Sequence, residues 1–212
     1  MIKVERIVNQ VFNSNTYILY KESENSVFLV DPGNTVEIYN WINDHSKNRI
    51  EGIFVTHSHF DHICAINDLL STNNEIPVYL SANGGIDIIK NDRKNASRYH
   101  ETPFVVDAKH FVEICDGDSI SLWGTEFMKI VSTPGHSIDS ITLICDNYFF
   151  TGDALIPNVK VVTKIRGGNK QQAAQSLDKI FELMTTKSIL CPGHEKMVQC
   201  INLRRDFLYV EI

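Results

Sequence analysis

The sequence has no stretch near the roughly 18–20 consecutive apolar residues that a membrane-spanning helix needs. Its opening string, MIKVERIVNQVF, carries Lys3, Glu5 and Arg6 where a signal peptide keeps an apolar core. No membrane partner is therefore expected, and a cytoplasmic location is. An excess of positive charge is also lacking, since 20 Lys and Arg face 26 Asp and Glu for a net charge of −6. Without an overall basic footprint, nucleic acid is not expected as a partner. No CxxC pair occurs among the five cysteines, whose odd number and wide spacing point to reduced thiols used as small apolar side chains, not to a disulfide framework or a thiolate metal site. Linker-like, low-complexity and short-period repeated segments are absent too, so residues 1–212 read as one domain.

Short apolar runs stop abruptly in polar or glycine-containing residues four times: VFLVDPG at 27–33, GIFVTHSHFDH at 52–62, YFFTGD at 148–153 and SILCPGHE at 188–195. These read as buried strands feeding functional loops. Apolar residues at helical spacing lie between them, at 36–47, 62–72, 84–92 and 171–186. Alternation on either side of turn residues, in FVEICDGDSISLW and TEFMKIVSTPG, adds hairpin character. The pattern predicts an α/β (α+β) fold with mixed sheets, better suited to a two-sheet sandwich with helices outside than to a doubly wound sheet.

Three of the eight histidines fall in the string His57-Ser58-His59-Phe60-Asp61-His62. An HxHxDH string arises by chance in roughly one chain in a thousand of this size, so it calls for a chemical explanation. His57 and His59 are two apart at a strand end, where side chains i and i+2 project to one side and can grip one ion. Asp61 and His62 fall where a helix starts, and the change of backbone direction aims them at a second point. Three other strand-ending loops supply His136 in STPGHS, Asp153 in FTGDAL and His194 in CPGHE. Each alone reads more readily as a turn residue than as a ligand. Together with the first string they offer five imidazoles and two carboxylates, a donor set for divalent metal.

The strings HSHFDH, PGHS, TGD and PGHE, in this order after VDPG, resemble the metallo-β-lactamase-fold hydrolases, especially glyoxalase II (hydroxyacylglutathione hydrolase) and its small bacterial relatives, over about residues 15–195. The resemblance implies a four-layer αβ/βα sandwich with two divalent ions per chain. His57, His59 and His136 would hold the first ion, Asp61, His62 and His194 the second, and Asp153 would bridge both. Asp31 corresponds to a position that orients a ligand; read locally, it is a turn residue before Pro32-Gly33. Zinc is the expected metal, with iron or manganese compatible with the same donors.

Two ions sharing a water would lower its pKa towards 7 and make hydroxide available, while polarising an acyl carbonyl. Asp61 and Asp153 are then the catalytic carboxylates, Asp61 also being placed to carry a proton to the leaving group. The expected reaction is hydrolysis of a thioester or ester in a small anionic substrate. Its carboxylates could meet Lys160, Lys164, Arg166 or Lys170, in a segment without acidic residues; the same lysines and arginine also suit a solvated face. Phe60 is a candidate pocket residue or core packing, and Tyr99 and His100 belong either to a substrate loop or to the surface. His45 and His110 receive no role.

Departures from the resemblance bear on the substrate. Full-length glyoxalase II carries a further helical C-terminal domain, whereas 18 residues follow His194 here. The usual GDTLF-type string is Gly152-Asp153-Ala154-Leu155-Ile156. True β-lactamases place Cys or Ser where Asp153 stands, so antibiotic hydrolysis is not implied. Alternatives are a persulfide dioxygenase with one iron held by two His and one Asp, a lactonase sharing all seven ligands, and a non-enzymatic metal-binding module. The oligomeric state is left open.

Overall fold

The computed structural model describes residues 1–73, 75–85 and 110–200. By their internal contacts these described residues fall into two compact units, one within the bounds Met1–Leu80 and Gly84–Glu113 and the other within Ser81–Asn83 and Ile114–Ile212. Two six-stranded sheets and four helices are found among the described residues. Part of the expected helix at 84–92, and both Tyr99 and His100, lie outside them.

The first sheet has the order β1 (Lys3–Val8), β2 (Asn15–Tyr20), β3 (Ser26–Val30), β4 (Arg49–Phe54), β5 (Val78–Ser81), β6 (Phe111–Ile114). Its first three strands are antiparallel, while β3, β4 and β5 are parallel. β3 is wholly buried, as a continuous apolar run predicts. Val27 and Leu29 face the aliphatic core shared with Ile38 and Ile42 of helix α1 (Thr35–Asp44). Asn34 caps α1 by accepting a hydrogen bond from Glu37 N at 3.1 Å. Phe28 points the other way, into a row of rings with Phe54 and Tyr79. His45 stacks on Trp41 at 4.0 Å, so its role is local to the end of α1.

The continuous helix expected at 62–72 is instead two pieces, α2 (Phe60–Ile63) and α3 (Ile66–Thr72). Ala65 N is drawn to Pro32 O, 3.1 Å away, so the chain tightens at the join. Ile63, Ile66, Leu69 and Leu70 still enter the same core. Apolar burial of about 1.5–3 kcal/mol per side chain outweighs the lost helical hydrogen bonds.

The second sheet has the order β12 (Val198–Gln199), β11 (Ile189–Pro192), β10 (Tyr148–Gly152), β9 (Ile141–Cys145), β8 (Phe127–Ser132), β7 (Ser119–Ser121). The expected hairpin is therefore made by Ser119–Ser121, while Phe111–Ile114 joins the first sheet. A turn separates the two strands, with Gly117 at φ +89° and Asp118 Oδ2 accepting from Cys115 N at 2.7 Å. Helix α4 (Lys170–Leu183) is capped by Asn169, which accepts from Gln172 N at 3.0 Å. Its stripe of Ala173, Leu177 and Ile180 packs with Leu155, Val161 and Leu190. Asn169→Ala should lower the unfolding free energy by about 1 kcal/mol in a denaturant titration.

Candidate metal centre

Strand directions decide where the candidate ligands emerge. β3 and β4 are parallel, so Asp31, Thr56 and His57 follow carboxyl ends at one edge of the first sheet. In the second sheet β10 is parallel to β11 and antiparallel to β9, which is antiparallel to β8. Strands β8, β10 and β11 thus run the same way, and His136, Asp153 and His194 all follow their carboxyl ends.

Within the first unit, His57 and His59 lie edge to face at 4.6 Å between ring centres, and His57 and His62 are 4.3 Å apart. His59 occupies the N-cap of α2, which starts Asp61 and His62 on a helical path. Asp61 Oδ2 lies 3.4 Å from His62 Nε2. Phe60 is buried in α2, consistent with packing.

Asp31 organises this group. Its φ is +52°, the left-handed turn that its position before Pro32-Gly33 favours. Asp31 Oδ1 accepts from Thr56 N at 2.7 Å, while Oδ2 accepts from Thr56 Oγ1 at 2.6 Å and lies 3.0 Å from His62 Nδ1. Thr56 Oγ1 is also 3.1 Å from His57 Nδ1. One carboxylate therefore sets two imidazoles, His62 directly and His57 through the threonine hydroxyl. With Nδ1–H donated to these acceptors, each Nε2 presents its lone pair, the form a metal requires. Asp31, His57 and His62 are near enough together to count as a ligand trio, but the hydrogen bonds already occupy both Asp31 oxygens and make it an orienting residue.

A second layer anchors the loop from beneath. Ser14 Oγ donates to Asp61 O at 2.7 Å, Asn9 Nδ2 donates to Ser14 Oγ at 3.0 Å, and Thr16 Oγ1 accepts from Gly33 N at 2.9 Å. Asn9, Ser14 and Thr16 are all buried. Neither they nor Thr56 stand out in the sequence as site residues, although Thr56 directly precedes the histidine string.

Within the second unit, His136 Nδ1 lies 2.9 Å from Val162 O, which again turns Nε2 away from the backbone. His136 Nε2 is 3.4 Å from Asp153 Oδ2, and His194 Nε2 is 3.6 Å from Asp153 Oδ1. Each oxygen of one carboxylate thus faces a different imidazole. Two ligand atoms on one tetrahedral ion, bound at about 2.0–2.1 Å, are separated by about 3.3–3.4 Å. The Asp61–His62, Asp153–His136 and Asp153–His194 pairs all come close to that spacing, and histidine nitrogen with carboxylate oxygen suits Zn, Fe and Mn alike. The residues present fit divalent metal.

Residues 9–194 match the sequence pattern of the metallo-beta-lactamase superfamily. The chain belongs to this superfamily. Hydroxyacylglutathione hydrolase of Pseudoalteromonas translucida is 27% identical over 90% of the chain and 64% of its own length. The hydroxyacylglutathione hydrolase of Citrobacter koseri is 30% identical over 87% of the chain and 63% of its own length. The chain thus spans less than two thirds of these curated relatives. The crystal structure of BLEG-1 B3 metallo-β-lactamase superposes with a TM-score of 0.80 and 25% identity, covering 97% of this chain and 99% of that one. That of ETHE1 from Myxococcus xanthus gives a TM-score of 0.76 and 22% identity, covering 98% and 84%. The fold is the metallo-β-lactamase fold, with the mixed sheets expected from the sequence.

The cysteines stay outside this chemistry. None of the five is in a disulfide, and burial pushes the Cys64 thiol up to about 11 and Cys145 to about 12. Protonated thiols are poor ligands and poor nucleophiles at neutral pH. Lys160, Lys164 and Arg166 are exposed after Asp153. No helix among the described residues is long and apolar enough to cross a membrane.

Asp31→Asn tests the orienting role. Thr56 N donates to Oδ1 and so fixes the amide oxygen there. The amide nitrogen then faces His62 Nδ1, forcing that atom to accept and moving the imidazole proton to Nε2. Metal affinity should fall about 10–100-fold in a calorimetric titration, with the fold retained.

Proposed function

We propose that this chain is a dinuclear metal-dependent hydrolase that cleaves a thioester or ester of a small anionic substrate. The observation that carries the reading is Asp153, whose two oxygens each face a different imidazole at near-ligand spacing. The curated relatives' name, hydroxyacylglutathione hydrolase, supports a thioester substrate class. In this reading His57, His59 and His136 would hold one ion and Asp61, His62 and His194 the other, with Asp153 offering an oxygen to each. When bound, the ions supply a water activated near neutral pH and positive charge for the acyl oxygen.

The chain's own residues do the rest. Asp31 and Thr56 keep His57 and His62 in the ligating tautomer, and Val162 O does so for His136. Asp61, buried at the start of α2, takes up the proton released on attack and returns it to the leaving group. Lys160, Lys164 and Arg166 meet the substrate's carboxylates. The partner is a small molecule in the cytoplasm, and zinc is the proposed metal.

Metal content per chain tests the reading, followed by a thioester and lactone panel before and after chelation. The expected result is close to two ions per chain and thioester turnover that chelation abolishes and zinc restores. A single iron with oxygen uptake on a persulfide would replace it with the dioxygenase reading. Metal without turnover on any acyl substrate would reduce the chain to a binding module.

A further inference from the structure

The segment after Asp153 exposes more than cations. Val159, Val162 and Ile165 alternate with Lys160, Lys164 and Arg166, and all three aliphatic side chains are exposed, Val162 to 51%. Ile138, two residues beyond His136, is 52% exposed. These loops are held together, because His136 Nδ1 meets Val162 O and a Cβ at Gly167 would touch Ile138. A small cavity lined by His136, Asp153, Val159, Lys160 and Val162 joins the ligands to the apolar side chains. These exposed aliphatic groups adjoin the candidate ligand residues and lie among positive charges, a combination suited to binding a substrate with apolar and anionic parts.

We infer that Ile138, Val162 and Ile165 form an apolar lip that selects substrates carrying an aliphatic acyl chain of several carbons, with the interspersed cations holding an anionic carrier. This rests on the hydrolase reading and names its substrate class. A short polar acyl group would leave the lip wet. A butyl or hexyl chain would cover it while the carrier's carboxylates reach Lys164 and Arg166.

The probes are S-methyl-, S-butyl- and S-hexylglutathione, anionic thioethers that resist hydrolysis, titrated calorimetrically into the zinc-loaded protein. Affinity should rise about twofold per added methylene, below the roughly fourfold of full burial because the lip is half exposed. Ile138→Ser with Val162→Ser should flatten that rise, and Ile165→Ser alone should do so in part. Lys164→Ala should weaken all three probes by the same factor. Thermal midpoints close to wild type would show that the surface substitutions leave the fold intact. Affinity independent of chain length in the wild type, or no binding of any probe, would overturn the lip. Acyl thioesters of matching lengths separate the two claims. Chain-dependent binding without thioester turnover removes the hydrolase and keeps the lip, whereas turnover without chain dependence does the reverse.

Discussion

Asp153→Ala is expected to abolish hydrolysis, by more than about 10³-fold in kcat/KM, and to lower bound metal below two ions per chain. Changes to residues that merely orient a ligand cost about 10–100-fold, and this one deletes a ligand proposed for both ions. The geometry makes the effect double: Oδ2 lies 3.4 Å from His136 Nε2 and Oδ1 3.6 Å from His194 Nε2, so one substitution empties a position beside each imidazole. Asp153→Asn should be nearly as severe, because the amide keeps the shape but offers one neutral oxygen. The metal-free variants should unfold at a midpoint close to that of the metal-free wild type, since Asp153 is a site residue and not part of the core cluster. Metal counts by mass spectrometry and thioester kinetics on the same samples check both halves. Two ions retained, or activity within tenfold of wild type, would show that the carboxylate does not carry the site.

That carboxylate stands out in the sequence, and so do the histidines, because candidate metal ligands are side chains of a few types at strand ends. Their supports stand out less, for identifiable reasons. His136 is oriented by the carbonyl of Val162, a backbone group without a side-chain signature, 26 residues away. Asn9, Ser14 and Thr16 look like ordinary polar residues beside a strand, and only the fold carries Ser14 to the carbonyl of Asp61, 47 positions on. Asp31 is within reach through the VDPG string, and so is Thr56, because a threonine just before a candidate ligand histidine can bond its neighbour's Nδ1. Among the elements, the apolar runs mark the strands Ser26–Val30, Arg49–Phe54, Tyr148–Gly152 and Ile189–Pro192. Apolar spacing predicts one continuous helix at 62–72 because it carries no trace of the pull of Pro32 O on Ala65 N, and alternation places Phe111–Ile114 in the hairpin because it does not say which sheet a strand joins.

Gly135 shows how a residue without a side chain fixes a candidate ligand. It stands directly before His136 at φ +134°, a conformation that L side chains rarely adopt. A Cβ there would lie 2.3 Å from Ala173 N and 2.4 Å from Ala173 Cα, both backbone atoms of the first turns of α4. The approach is held from both sides, since Asn169 N donates to Gly135 O at 2.8 Å and Ser176 Oγ donates to Pro134 O at 2.7 Å. Gly135→Ala must therefore either change its backbone dihedrals or push α4 away, and either movement displaces His136. Strain of about 1–2 kcal/mol and overpacking of about 1–3 kcal/mol add to a loss of roughly 2–5 kcal/mol. For a chain of this length that lowers the thermal midpoint by about 10 °C. Gly117→Ala separates the two contributions, because Gly117 also has positive φ, +89°, but nothing lies within 4 Å of its added Cβ. It should cost the strain alone, about 1–2 kcal/mol, with metal content unchanged. Equal losses in the two variants would mean that close packing of the His136 loop on α4 contributes nothing to stability.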